Sequence, residues 1–270
     1  MSVLVTGGGG LVGSALGRRG GVTALTHREL DICDPAAIAS QLGQHAPRTV
    51  INAAAQANVD RAEQDPEAAF AINATAPGEL AAACAQRGIR MLHLSTDYVF
   101  GGNGERRPHR EDDPVAPVGV YCESKAEGER RVRASGGTVV RTAWVFGEHG
   151  RGFVQLVLAR LAAGERVEIT GEQHGCPTWV EDLVDVLLAL AARDEVPGIL
   201  HACGDPGISR YDFARAIAVA AGADPDRVVR VEGAPAGAPR PAWSVLDASL
   251  LARLRLGPRP WAPGLARVIG

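Results

Sequence analysis

Cysteine is scarce in this chain. The 5 in 270 residues, Cys33, Cys84, Cys122, Cys176 and Cys203, are odd in number, scattered, and form no Cys-x-x-Cys pair. That excludes a disulfide framework and reads as small, reduced packing side chains, with Cys122 set apart only by its place beside Tyr121. The 7 histidines, at 27, 45, 93, 109, 149, 174 and 201, show no metal-ligand spacing, so no metal is inferred. Net charge is low: 28 basic against 31 acidic side chains leave −3. Arginines alternate with acids, as in Arg110-Glu111-Asp112-Asp113 and Glu127-Gly128-Glu129-Arg130-Arg131, a pattern of solvated faces that excludes a basic nucleic-acid footprint. No apolar run approaches the roughly 20 residues of a bilayer span, and no charged and apolar leader opens the sequence. The expectation is a cytoplasmic protein with neither nucleic acid nor membrane as partner.

What is present begins at the amino terminus. Ser2-Val3-Leu4-Val5-Thr6 reads as a buried strand, and Gly7-Gly8-Gly9-Gly10-Leu11-Val12-Gly13 turns it into a helix over about 11–19. Gly7, Gly10 and Gly13 hold the spacing of a dinucleotide loop: a tight turn, backbone bare enough to approach a pyrophosphate, and close packing of helix on strand. Leu11 and Val12 lie within the same loop.

Strand and helix patterns then alternate. Strands are expected at 22–26, 49–52, 90–95 and 138–142, with helices from Asp34-Pro35, over about 66–86 and over about 123–134. The fold class is α/β, a Rossmann-like doubly wound parallel sheet whose ligand should lie beyond the carboxyl ends of the strands. After about Ala143 the alternation weakens: a loop at 147–152, a helix at 153–163, a short strand at 166–170, a helix at 180–192, a strand at 198–202 and a helix at 210–221. A Pro/Gly/Ala-rich stretch at 233–241 leads to a tail containing Trp261 and Arg267. The division expected is a dinucleotide-binding domain at 1–145, completed by 177–203, and a smaller carboxy-terminal substrate-binding lobe from 146–176 and 204–270.

Near the middle, Tyr121 and Lys125 stand at i, i+4, one face of a helix. A cation beside a phenol lowers its pKa from about 10 and readies it to pass a proton to a carbonyl that is receiving a hydride. A Tyr-x-x-x-Lys pair alone also describes an ordinary solvated helix face. Its context is the run His93-Leu94-Ser95-Thr96-Asp97-Tyr98-Val99-Phe100 and the glycine loop.

Taken in order, Thr6–Gly13, Leu30-Asp31-Ile32, Asn52-Ala53-Ala54-Ala55, Val59-Asp60-Arg61-Ala62-Glu63, Asn73, Ser95–Phe100, Tyr121 with Lys125, Arg141–Phe146, Gly175-Cys176-Pro177-Thr178 and Arg240–Asp247 resemble the dTDP-4-dehydrorhamnose reductase family, within the extended short-chain dehydrogenase/reductases. The resemblance covers nearly the whole chain and implies NAD(P)H-dependent reduction of the C4 ketone of a dTDP-linked 4-keto-6-deoxysugar. It implies that Tyr121 donates the proton, Lys125 holds the nicotinamide ribose and lowers the tyrosine pKa, and Thr96 hydrogen-bonds the reacting oxygen, with Ser95 beside it. It places Asp31 and Ile32 around the adenine and Asn52, Ala53 and Ala54 along the cofactor groove.

Asp97-Tyr98 separates this reading from related dehydratases, which resemble Thr-Asp-Glu here; without the glutamate, elimination lacks a proton-transfer partner. A sugar epimerase and a non-catalytic NADP-binding regulatory subunit remain as alternatives. After Leu25 the chain has Thr26-His27-Arg28 instead of an acid, so Arg28 either meets a 2′-phosphate, favouring NADPH over NADH, or is an exposed loop residue. On the substrate side stand Thr96, Asp97, Trp144 against the sugar or base, Arg240 as a pyrophosphate ligand or surface ion pair, and Trp243, where the family more usually resembles Asn. Some relatives dimerise around a metal held by an acid shortly after the third glycine. Ser14 and Ala15 occupy that stretch, so no metal-linked dimer is inferred, while a homodimer of another kind stays open.

Overall fold

The computed structural model describes residues 2–150, 152–233 and 237–270, so residue 151 of the 147–152 loop and residues 234–236 of the Pro/Gly/Ala-rich stretch lie outside the described residues. A six-stranded parallel sheet runs in the order Ile199–His201, Thr138–Thr142, Arg90–Thr96, Thr49–Asn52, Val3–Thr6, Val22–Leu25. Three of these strands, Val3–Thr6, Thr49–Asn52 and Thr138–Thr142, are buried at every residue, as strands covered by helices on both faces must be. Chain order reverses between Val3–Thr6 and Thr49–Asn52, which opens a crevice at their carboxyl ends. The short strand at Ile199–His201 returns to the sheet edge, as its apolar pattern predicts.

The helix carrying the tyrosine runs Val120–Ala134 and so starts about three residues before the sequence pattern suggests. Gly119, at φ 87°, makes the turn, and Glu63 Oε1 accepts from the Val120 N–H at 2.7 Å, satisfying a free amide at the helix start. The pattern at 66–86 predicts one helix, but a π-helical segment, Ala71–Thr75, separates Pro66–Phe70 from Ala76–Ala85. The interruption coincides with Asn73, whose side chain accepts from Gln56 N and donates to Gln56 O and Ser124 Oγ. Gly128 lies directly against it, where an added Cβ would stand 2.0 Å from Asn73 O.

The smaller lobe has its own apolar cluster, with Phe146, Val157, Phe213, Ile217 and Trp261 packed together. The helices Phe153–Ala162 and Arg210–Ala220 contribute to it, beside a parallel pair, Val167–Thr170 with Val228–Val231. The tail, to which the sequence pattern assigns no element, forms a helix at Trp261–Ile269 because Trp261 and Leu265, one turn apart, bury against that cluster. Among the described residues no helix is long and apolar enough to cross a membrane.

Gly128→Ala should test the closest helix packing. The new methyl meets backbone carbonyl, not a flexible side chain, so urea denaturation should show a loss of roughly 1–3 kcal/mol. Unchanged stability would mean that the two helices can separate without cost.

Candidate active site

The crevice at the order reversal contains a cleft of about 470 Å³, lined by Gly7, Gly10, Asp31, Ile32, Ala53 and Ala54 among others. The glycine loop fills its own interior: a Cβ on Gly7 would stand 2.6 Å from Ala54 N, and one on Gly13 would stand 2.2 Å from Gly7 O. Gly7 also has φ +72°, which disfavours a side chain. Leu11, Val12 and Gly13 begin the helix behind this loop. His27 lines the cleft, whereas Arg28 is exposed in the adjoining turn. Asn52 is fully buried below the cleft and does not line it. Another cleft, about 420 Å³ around Arg48, Thr49 and Arg90, lies at the opposite ends of the strands, away from these groups.

Asn52 belongs instead to a polar line through the core. Its Oδ1 accepts from Thr6 Oγ1 at 2.6 Å and from Ala54 N at 3.1 Å, which fixes the amide so that Nδ2 donates to His93 Nδ1 at 3.0 Å. In the neutral ring the remaining proton then sits on Nε2. That nitrogen lies 3.4 Å from Lys125 Nζ, and the lysine donates to Leu94 O at 2.8 Å. Burial, and then the Lys125 charge, hold His93 well below its ordinary pKa. Burial also pushes Lys125 down to about 8, against the opposing charge of Glu129. Sequence reasoning passed over His93 because it considered histidines only as metal ligands; a polar residue inside the apolar run Met91-Leu92-His93-Leu94 was the available signal. A second signal was composition, since Lys125 is the only lysine in the chain.

Tyr121 and Thr96 meet at the carboxyl edge of the sheet. The tyrosine ring packs edge-on against Tyr98, with centroids 6.3 Å apart. Its phenol is raised above its ordinary pKa, foremost by burial, with the Thr96 hydroxyl pulling the other way. This corrects the sequence expectation that Lys125 lowers the phenol: desolvation dominates, while the ammonium is turned to Leu94 O. Ser95 Oγ and Thr142 Oγ1 are buried nearby in the sheet without hydrogen-bond partners.

The other wall brings in residues remote in sequence. Asp97, 2% exposed, accepts from Ser244 Oγ and shares a 3.1 Å contact with Thr96 Oγ1. Burial raises its carboxyl to about 6 despite the opposing hydrogen bonds from Ser244 and Thr96 and the charge of Arg210. Ser244, not its neighbour Trp243, reaches the centre; the Trp243 indole stacks on His174 at 4.8 Å and donates to Arg107 O at 2.8 Å. Arg240 is engaged by Asp60 at 2.8 Å, the ion-pair alternative of the sequence reading. Trp144, at φ 42°, carries the Arg210 guanidinium 3.6 Å from its ring centroid. No sequence signal singled out Ser244 or Arg210.

This sheet, glycine loop and tyrosine-lysine helix are those of an extended short-chain dehydrogenase/reductase. The family described as RmlD substrate binding domain matches residues 1–270. The dTDP-4-dehydrorhamnose reductase of Mycobacterium tuberculosis is 44% identical, over 99% of this chain and 92% of its own. A probable dTDP-4,6-dihydroxy-2-methyloxan-3-one 4-ketoreductase of Streptomyces antibioticus is 40% identical, over 98% and 93%. Among solved structures, the dTDP-4-dehydrorhamnose reductase of Bacillus anthracis in complex with NADP superposes with a TM-score of 0.91 at 27% identity, over 99% of both chains. The chain belongs to the dTDP-4-dehydrorhamnose reductase family.

A single lysine makes its titration directly observable. In protein carrying 13C-labelled lysine, one side-chain resonance should titrate near pH 8 in the absence of ligands, well below the ordinary value near 10.5. Titration at the ordinary value would show that the ammonium is hydrated rather than buried against Leu94.

Proposed function

We propose that this chain reduces the C4 ketone of a dTDP-linked 4-keto-6-deoxysugar with NADPH, in the cytoplasm. The observation that carries the reading is the convergence of the Tyr121 phenol, the Thr96 hydroxyl and buried Lys125 beside a cleft with a glycine cradle. The names of relatives 44% and 40% identical supply the substrate class, and the NADP in the Bacillus anthracis structure supplies the cofactor. Residues 1–145, completed by 177–203, would hold the dinucleotide, and 146–176 with 204–270 the sugar nucleotide.

The cradle fits a dinucleotide, because the packing that leaves no room for side chains at Gly7 and Gly13 presents bare backbone to the cleft. Gly7, Gly10, Leu11, Val12 and Gly13 would hold the pyrophosphate, Asp31 and Ile32 the adenosine end, Ala53, Ala54 and Ser95 the groove, and Lys125 the nicotinamide ribose. When bound, the nicotinamide cofactor supplies the hydride. Tyr121, protonated at neutral pH, gives its proton to the ketone oxygen, and the Thr96 hydroxyl hydrogen-bonds that oxygen. The remaining contribution is positional: strand ends and the Val120–Ala134 helix fix these groups in one geometry before substrate arrives.

Tyr121→Phe should lower kcat for a dTDP-4-keto-6-deoxysugar by roughly 100-fold or more while NADPH affinity stays nearly intact. Turnover close to wild type would overturn the assignment of the proton donor.

Arg28→Ala addresses the cofactor. If the exposed guanidinium reaches the 2′-phosphate, the variant should lose NADPH affinity by roughly 10-fold with NADH affinity unchanged. Equal losses for both dinucleotides would remove Arg28 from that contact.

A further inference from the structure

Among the described residues Arg210 is a cation of this site without a direct ion pair. It opens the helix Arg210–Ala220, and its guanidinium carbon lies 3.6 Å from the Trp144 ring centroid and 4.5 Å from that of Phe153. Among the described residues no acidic side chain comes within ion-pairing distance of it, whereas Arg240 is tied to Asp60 and Arg141 to Glu129. The group against it is the Tyr98 hydroxyl, and its charge is felt by Asp97. A half-buried guanidinium is costly without an anionic partner, and contact with two aromatic rings offsets only part of that cost.

The surroundings are those of a receptor. Gln173, whose carbonyl accepts from the Arg210 amide at 2.8 Å, is 8% exposed and leaves its side-chain Nε2 without a partner. Trp144 Nε1 is likewise buried and unpartnered. Two N–H donors without partners among the described residues therefore accompany a cation without an ion pair, next to the Thr96-Asp97-Tyr98 segment at which the sugar would react. The hexose of the proposed substrate carries hydroxyls and a ketone; its anion is the diphosphate that joins it to the nucleoside.

We propose that Arg210 binds the diphosphate of the sugar nucleotide, with Gln173 Nε2 and Trp144 Nε1 as accompanying donors. The proposal rests on the sugar-nucleotide reading given above. Arg210 thereby takes the role that the sequence assigns to Arg240, which its ion pair with Asp60 already occupies. Contact with the Trp144 and Phe153 rings restrains the guanidinium, whose N–H fork can meet two phosphoryl oxygens in parallel.

Isothermal titration of the purified protein with dTDP and with thymidine, at two salt concentrations, tests this. Arg210→Met keeps an unbranched side chain on the indole but removes the charge; it should weaken dTDP roughly 10- to 100-fold and flatten the salt dependence, while thymidine, NADPH and the melting temperature change little. Arg210→Lys, which restores a cation without the planar fork, should recover part of the loss. If wild type binds dTDP and Arg210→Met binds it equally well, the inference falls and the substrate reading stands. Should wild type bind no dTDP, the substrate reading itself fails and the inference with it. Parallel losses for dTDP, thymidine and NADPH in Arg210→Met would make the residue structural and overturn the proposal.

Discussion

The site depends on a line of buried polar contacts that crosses three strands and reaches a helix: Thr6 hydrogen-bonds Asn52, Asn52 hydrogen-bonds His93, and the His93 ring lies against Lys125. Parallel register makes it continuous, since Thr6 pairs with Asn52 and Asn52 with His93 at the same level of the sheet. Each member is at most 2% exposed, so each must find its partner inside the protein. A slip of one residue in any strand would turn a polar side chain to the other face and leave its neighbours unpaired. The core thereby specifies where the lysine stands, and with it where the glycine loop lies, because Asn52 Oδ1 also holds the Ala54 amide against which Gly7 packs.

The helix end of that line is fixed from its other side. Glu129, one turn beyond Lys125, meets Arg141 through paired contacts as short as 2.7 Å, both side chains being nearly fully buried. Removing either partner would strand a charge in the core, a change that typically costs about 3–5 kcal/mol. Gly128 brings the helix against Asn73, and Asn73 reaches Ser124 on the same helix. Glu63, Asn73 and Arg141 thus hold its start, middle and far half, so Tyr121 and Lys125 project from an element with little freedom to rotate.

Much of this was legible in sequence, for local reasons. Strands such as Thr49–Asn52 and Thr138–Thr142 announce themselves because burial on both faces demands apolar, β-prone runs, and the glycine loop because its backbone leaves no room for a side chain at Gly7 or Gly13. Tyr121 and Lys125 share a helix, so spacing alone brings them together. Lys125 was more conspicuous still in hindsight: a chain that uses arginine at every other basic side chain keeps one lysine, where an ammonium can shift its pKa and a guanidinium cannot. The residues missed depend on tertiary contact. Ser244 reaches Asp97 across 147 positions, and Arg210 owes its meaning to a tryptophan on another segment. The direction of the Tyr121 shift was missed for the same reason, because burial is a property of the assembled fold.

The Ser244 contact also shows why the smaller lobe is part of the chemistry. Thr96 has one hydroxyl proton, and its oxygen already accepts from the Tyr98 amide at 3.1 Å. An ionised Asp97 competes with a substrate oxygen for that proton, because its Oδ1 lies 3.1 Å from Thr96 Oγ1. One feature weakens the competition: Ser244 supplies a hydrogen bond to the other carboxyl oxygen, while burial raises the carboxyl to about 6 and so leaves it mostly ionised at neutral pH. Ser244 in turn is held by the segment whose amide donates to His174 O, so the orientation of Thr96 is linked to the seating of residues far along the chain. A hydroxyl that must be free to turn toward a developing negative charge is best freed by satisfying its competitor from outside the sheet. The smaller lobe performs that task at Asp97, while Arg210 on the same lobe places a cation near the same carboxyl.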